Sequence, residues 1–220
     1  MLVVFLGVVA IKNVGELIEE IKRIYSNAKE EVEKRWAEFE NLGKNGTEEE
    51  LFIELSFCIL TANWTAKDGI KAQKEIKDGF LTLNLEELEN ALRKVGHRFP
   101  KARSKYIYEN RWILGKLKEI VSNDTNDARV FLVNNIKGIG WKESSHFLRN
   151  VGKCDVAILD KHVLRLLKKY DLIKEIPKSW NKNRYLSIEK IFKQVAQEFG
   201  ECPGKFDLYL WYYLKGVVEK

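Results

Sequence analysis

Proline, cysteine and long apolar runs are all scarce in this 220-residue chain, and each shortage closes a possibility. With three prolines and few stretches that alternate apolar and polar residues, the sequence excludes a sheet-based fold and favours helices. The three cysteines, Cys58, Cys154 and Cys202, stand singly, without the CxxC pairs of metal or redox centres. Their odd number leaves at least one thiol free and points to a reducing, intracellular setting, and three thiolates fall short of the four that hold a 4Fe–4S cluster. The apolar stretch 1–10 is too short to span a bilayer, and no basic region precedes it as in a signal peptide, so no membrane partner is expected. A strand or tail packed on the core, or the choice of start codon, accounts for it. No linker, internal repeat or low-complexity segment divides the chain, which favours two lobes in one body over separate domains.

What is present is a chain with 45% hydrophobic and 32% charged residues, enough apolar material for a core at this length. The net charge of +6 suits a polyanionic partner, although 38 basic against 32 acidic residues is also an ordinary solvated surface. Apolar positions recurring at i, i+3 and i+4 predict about ten helices, near 14–41, 48–62, 65–79, 85–94, 101–122, 126–136, 142–151, 161–171, 185–199 and 204–218. Local signals mark several ends. Thr47 with Glu50 forms a capping box, Asn84 precedes Leu85, Asp160 precedes the apolar face Val163, Leu164 and Leu167, and Gly96, Gly152 and Gly200 are stops.

The segment Ile136-Lys137-Gly138-Ile139-Gly140-Trp141-Lys142 carries the first chemical signal. Two helices meeting at Lys137-Gly138-Ile139-Gly140 form a helix-hairpin-helix, in which glycines permit a tight turn and present backbone N–H groups to a phosphate. The second helix adds its positive dipole end, and such a contact is blind to base sequence. A plain tight corner between helices is the structural alternative. Lys142 stands in the first turn of the second helix, where an ammonium is disfavoured and a neutral amine would be a nucleophile.

Asp160 follows Lys142 by 18 residues. Its carboxylate can cap the next helix and, so fixed, can answer positive charge developing at a sugar C1′. His162 lies in the same helical turn and can donate to a phosphate, or be an ordinary surface or core imidazole.

Taken together, Gly138-Ile139-Gly140-Trp141-Lys142 and Asp160-Lys161-His162 resemble the helix-hairpin-helix and Gly/Pro-Asp signature of the base-excision DNA glycosylases. Within that superfamily the chain is most similar to the archaeal-type 8-oxoguanine DNA glycosylase/AP lyases, from about residue 48 to the end. The resemblance implies an all-α body of two helical lobes with an active-site cleft between them. Residues 48–154 would carry the hairpin and Lys142, and 1–47 together with 155–220 would carry Asp160 and the base-recognition helix. It further implies that Lys142 attacks C1′ of the lesion nucleotide to give a Schiff base, that β-elimination then cuts the strand, and that Asp160 is the catalytic carboxylate. Lys137 stands where the family usually has proline, and with Gly138, Gly140, His162 and Asn63 it makes up the expected DNA-binding set. Asn63, in Thr61-Ala62-Asn63-Trp64, matches the amide that fills the space left by a flipped nucleotide, or simply caps a helix.

Base recognition falls, on the same resemblance, to Trp211 as a stacking surface, Phe99 as an opposite plate, Asp207 as an acceptor for a guanine edge, and the terminal Lys220. For the aromatics, core packing is the alternative; for Lys220, a frayed terminus. The expected partner is double-stranded DNA containing 8-oxoguanine, bound by a monomer without a cofactor or catalytic metal. Two rivals stay open. One is an endonuclease III-like glycosylase for oxidised pyrimidines, whose usual cysteine cluster this chain lacks; the other is a non-enzymatic hairpin module, which would need neither Lys142 nor Asp160. A third reading, a helical scaffold indifferent to nucleic acid, would show little salt dependence in any DNA interaction.

Overall fold

The computed structural model describes residues 13–220 and is helical throughout, with no strand among the described residues; the apolar stretch 1–10 lies outside them. The helices are α1 over 13–22, α2 (Tyr25–Asn45), α3 (Glu48–Thr61), α4 (Ala66–Ile76), α5 (Gly79–Thr82), α6 (Leu85–Lys94), α7 (Pro100–Glu109), α8 (Leu117–Ser122), α9 (Thr125–Asn135), α10 (Trp141–Asn150), α11 (Lys161–Lys169), α12 (Lys182–Phe199) and α13 (Pro203–Lys215). A 3₁₀ turn, Asn110–Ile113, joins α7 towards α8. No described helix is long and apolar enough to cross a membrane.

The chain forms two compact units. The hairpin lobe is Ala37–Lys153 together with Lys220, and the terminal lobe, among the described residues, is 13–36 with Cys154–Glu219. The first boundary falls inside α2, upstream of the expected residue 48. Gly43 and Gly152 give a reason. A Cβ on Gly43 would lie 1.9 Å from the Val151 carbonyl oxygen, and one on Gly152 would lie 3.0 Å from Glu40 Cα, so the end of α2 is packed onto the end of α10.

In the hairpin lobe α3 is the central helix, buried from Leu51 through Thr61 except for Ile53. It packs against α4, α5, α7, α8 and α10. Each fully buried Leu, Ile or Phe there contributes about 1.5–3 kcal/mol of apolar transfer. Its start is the expected capping box: Glu50 N–H donates to Thr47 Oγ1, and Thr47 N–H donates to Glu50 Oε2. The same device starts α6, from Asn84 and Glu87.

Two long expected helices are broken. The span 14–41 turns at residues 23–24 between α1 and α2. The span 101–122 divides into α7, the 3₁₀ turn and α8, because Gly115 adopts φ +86° and the Glu48 carboxylate accepts from Gly115, Leu117 and Lys118 N–H at 2.9–3.0 Å, capping α8 from 67–70 residues away. The stops at Gly96, Gly152 and Gly200 are present, each glycine in the left-handed region.

In the terminal lobe the early and late helices pack together. Tyr25 stacks on Tyr209 at 5.1 Å between centroids, Tyr213 donates to Glu20, and Lys205 pairs with Glu33 at 2.6 Å. Cys154 and Cys202, isolated in the sequence, are joined with Cα atoms 5.8 Å apart, leaving Cys58 as the buried free thiol.

Candidate active site

The hairpin forms as its glycines require, but the two glycines do different work. Ile136 and Ile139 are buried, anchoring both sides of the turn. Gly138 has φ +82°, and a Cβ there would lie 2.7 Å from the Tyr106 ring, so both conformation and space demand glycine. Gly140 lies in ordinary extended backbone, φ −109° and ψ −167°, and a Cβ would meet only Glu143 Oε2, at 3.2 Å. Gly138→Ala is therefore expected to destabilise the fold by about 1–3 kcal/mol, and Gly140→Ala by no more than about 0.5 kcal/mol, in thermal or denaturant unfolding. Equal losses would contradict this division.

A residue that sequence reasoning missed braces the turn. Asn110, fully buried, donates from Nδ2 to the Lys137 carbonyl at 2.9 Å and accepts from Lys137 N–H at 3.0 Å. One amide thus satisfies both backbone groups of the hairpin's first residue. The Lys137 side chain is exposed and pairs with Glu109 at 2.7 Å, which holds the Glu109 carboxyl below its usual range.

Lys142 is the second residue of α10, its side chain about one-fifth exposed at 21%. Glu143 spans the turn beside it. Oε1 lies 3.2 Å from Lys142 Nζ, while Oε2 accepts from Gly140 N–H at 3.3 Å. The carboxylate therefore occupies a hairpin donor that the sequence reserved for a phosphate, and holds an anion at the helix start where the dipole favours one.

One turn further along α10, His146 is buried against Phe57, ring centroids 5.5 Å apart. Burial, then the positive charges of Arg149, Lys142 and Lys220, push its imidazole well below the ordinary range, so it is neutral at physiological pH. Lys220 returns to this lobe: its ammonium bonds Glu54 Oε2 at 2.6 Å and lies 4.8 Å from the Phe57 ring centre. Cys58 lies in the same neighbourhood, and burial raises its thiol well above the usual value.

Asn63 and Phe99 are also brought together here. Asn63 is exposed with φ +66°, a left-handed conformation that asparagine tolerates, just past α3. His97 joins the two loops: its Nδ1 accepts from Phe99 N–H at 3.0 Å, so the proton is on Nε2, which donates to the Leu60 carbonyl at 3.1 Å. Burial lowers its proton affinity, in keeping with that neutral tautomer. Arg103 adds a bond to the Ala62 carbonyl at 2.8 Å. Phe99 is 40% exposed, with the Arg98 guanidinium 5.1 Å from its ring centre.

The terminal lobe gathers Asp160, His162, Asp207 and Trp211. Asp160 is the N-cap of α11, its Oδ1 accepting from His162 and Val163 N–H at 2.8 Å each. The apolar run before it, 156–159, is buried and pinned from α12: Tyr185 Oη donates to the Ala157 carbonyl at 2.7 Å and accepts from Leu159 N–H at 3.3 Å, while Glu189 accepts from Ala157 N–H at 3.0 Å. Sequence reasoning missed Tyr185 and Glu189. His162 lies 5.7 Å from Trp211, and burial lowers its imidazole most, against the raising effect of Asp160. Trp211 is half-buried, whereas Asp207, one turn earlier on α13, is 7% exposed.

Comparison with known proteins follows the same outline. Residues 32–201 match the model of a family described as 8-oxoguanine DNA glycosylase, with its helix-hairpin-helix. The chain is 62% identical to the 8-oxoguanine DNA glycosylase/AP lyase of Thermotoga maritima over 93% of its length and 99% of that protein, and 51% identical to that of Methanocaldococcus jannaschii over 92% and 97%. Among solved structures it superposes on the Thermotoga maritima 8-oxoguanine DNA glycosylase with a TM-score of 0.93 at 61% identity, covering 94% of this chain and 100% of that one. It superposes on the Methanocaldococcus jannaschii glycosylase/lyase in complex with a 15mer DNA containing 8-oxoguanine with a TM-score of 0.90 at 48% identity, covering 93% and 100%.

Proposed function

The chain belongs to the 8-oxoguanine DNA glycosylase family, and from that membership we propose that Lys142 is its Schiff-base nucleophile and Asp160 its catalytic carboxylate. The protein is a DNA glycosylase/AP lyase that excises 8-oxoguanine, and its partner is DNA. It works as a monomer inside the cell on duplexes containing the lesion. The placement of Lys142 carries the residue assignment: a little-exposed amine in the first turn of α10, immediately after the Gly138 turn.

The chemistry then follows in order. The hairpin turn and the positive end of α10 that follows it, with Lys137 and His162, hold phosphates and set register without reading sequence. Asn63 enters the stack where the lesion nucleotide has left it, and its amide bonds the orphaned base. Trp211 and Phe99 offer flat surfaces to the extruded base, with Asp207 and Lys220 as polar readers of its edge. The Lys142 amine forms a bond to C1′ as the bond to the base breaks and the pair of electrons leaves with the base. Asp160 stabilises the positive charge that develops at C1′. Ring opening gives a Schiff base, and loss of the 2′ proton expels the 3′ phosphate by β-elimination.

Borohydride reduction tests this directly. Incubation with a duplex carrying 8-oxoguanine opposite cytosine is expected to yield a covalent protein–DNA adduct and released 8-oxoguanine. Absence of both adduct and released base would remove the proposal, and an adduct only with oxidised pyrimidines would favour the endonuclease III-like rival.

A further inference from the structure

Glu54 is a carboxylate in the middle of the central helix, 3% exposed, with Leu51, Leu55, Phe57 and Cys58 buried around it on α3. Burying a carboxylate costs several kcal/mol unless its oxygens are answered. Both are. Oε1 accepts from Asn150 Nδ2 on α10 at 2.6 Å, and Oε2 accepts from Gln73 Nε2 on α4 at 3.0 Å and from Lys220 Nζ at 2.6 Å. Two neutral amides therefore fix the carboxylate, and its cation is the last residue of the chain, 166 positions away. The Lys220 side chain is 15% exposed, its ammonium faces Phe57, and the neutral His146 lies beside its backbone.

A terminal lysine ordinarily frays in water. This one bonds Glu54 and lies over Phe57, both on α3, with His146 of α10 beside its backbone, in the lobe that bears Lys142. Buried ion pairs are weak sources of stability compared with apolar packing of the same volume, so stability alone does not account for the arrangement. What it does supply is one fixed position for one ammonium.

We propose that Glu54 is the positioning residue that seats the Lys220 ammonium, and that this seat sets the discrimination of 8-oxoguanine from guanine. The inference rests on the reading of Lys220 as a base-recognition group. Glu54 itself does not touch the base; it acts by fixing where Nζ stands, with Gln73 and Asn150 holding the carboxylate in turn.

The test compares excision of 8-oxoguanine and guanine from otherwise identical duplexes by the full chain, Glu54→Gln, the chain lacking Lys220, and the double change. Glu54→Gln keeps shape and removes charge. It is expected to lower the 8-oxoguanine-to-guanine ratio at least about tenfold. Cleavage of a preformed abasic site, which needs Lys142 and no base reading, should stay near the full chain's rate. Glu54→Asp should restore part of the ratio. Removing Lys220 should reproduce the loss, and Glu54→Gln should add nothing to it. An unchanged ratio in Glu54→Gln beside a loss on Lys220 removal overturns the role of Glu54 alone. An unchanged ratio on Lys220 removal overturns the reading on which it rests. Abasic-site cleavage falling in parallel with excision also overturns the proposal, since that is general damage to the lobe. Should Glu54→Gln not fold, Gln73→Ala, at a partly exposed position on α4, is expected to lower the ratio in the same direction, and no change there would count against the seat.

Discussion

Lys142→Gln is expected to lose the borohydride-trapped adduct entirely and to slow strand cleavage by about 10⁴-fold or more, the scale on which removing an enzyme's covalent nucleophile acts. Duplex affinity should survive, because the contacts assigned to the phosphate are the hairpin turn, the helix start after it, Lys137 and His162, which the substitution leaves in place. Glutamine is a good choice physically. It keeps most of the side-chain length, tolerates the first turn of α10, and can still donate to Glu143, so the capping bond from Gly140 N–H to Glu143 is preserved. The result separates chemistry from binding: electrophoretic mobility shift reads the second, trapping the first. Loss of adduct together with loss of affinity would instead mean that Lys142 organises the hairpin. A retained adduct would remove it as the nucleophile.

The parts of this machinery that were legible in the sequence are those set by near neighbours. The box of Thr47 and Glu50 closes over three residues, and Gly138 advertises a positive φ by being glycine between two helices. The positions of Lys142 and Asp160 on their helices were readable for the same reason, since each sits in the first turn or at the cap of a helix whose start is written locally.

What the sequence concealed is long-range. The break at Gly115 depends on Glu48, and nothing within the helical pattern of 101–122 reveals a carboxylate 67 residues upstream. Asn110 is one more polar residue in a charged chain until it is seen to bond both backbone groups of Lys137. Glu54 reads as an error in an apolar helix until Asn150, Gln73 and Lys220 arrive around it. Tyr185 and Glu189 pass as core and surface of α12, yet they fix the run that ends in Asp160. Asp207 is the reverse case: its acid in an aromatic helix was conspicuous, and in the fold it is buried.

Asp160 caps α11, and the proposal gives it a second role at the sugar; substitution can part the two. As N-cap of α11 it takes two backbone N–H bonds through one oxygen, Oδ1, at 2.8 Å. Asparagine offers the same carbonyl oxygen and ranks with aspartate as a cap, so Asp160→Asn is expected to leave the unfolding midpoint nearly unchanged. It removes the charge, however, and with it the stabilisation proposed for the cation forming at C1′. Base excision should fall by about 10²–10⁴-fold, the range for a positioned catalytic carboxylate. Asp160→Ala loses cap and charge together and should add about 1 kcal/mol of destabilisation to a similar loss of excision. Because Tyr185 and Glu189 hold the preceding backbone independently of the Asp160 side chain, neither variant should disorder the run at 156–159. The discriminating measurement is excision rate beside thermal midpoint for both variants. If Asp160→Asn excises at the native rate while Asp160→Ala is merely less stable, the carboxylate is a cap and nothing more. If the two lose excision alike and differ only in stability, the charge acts at the sugar and the cap serves to hold it there.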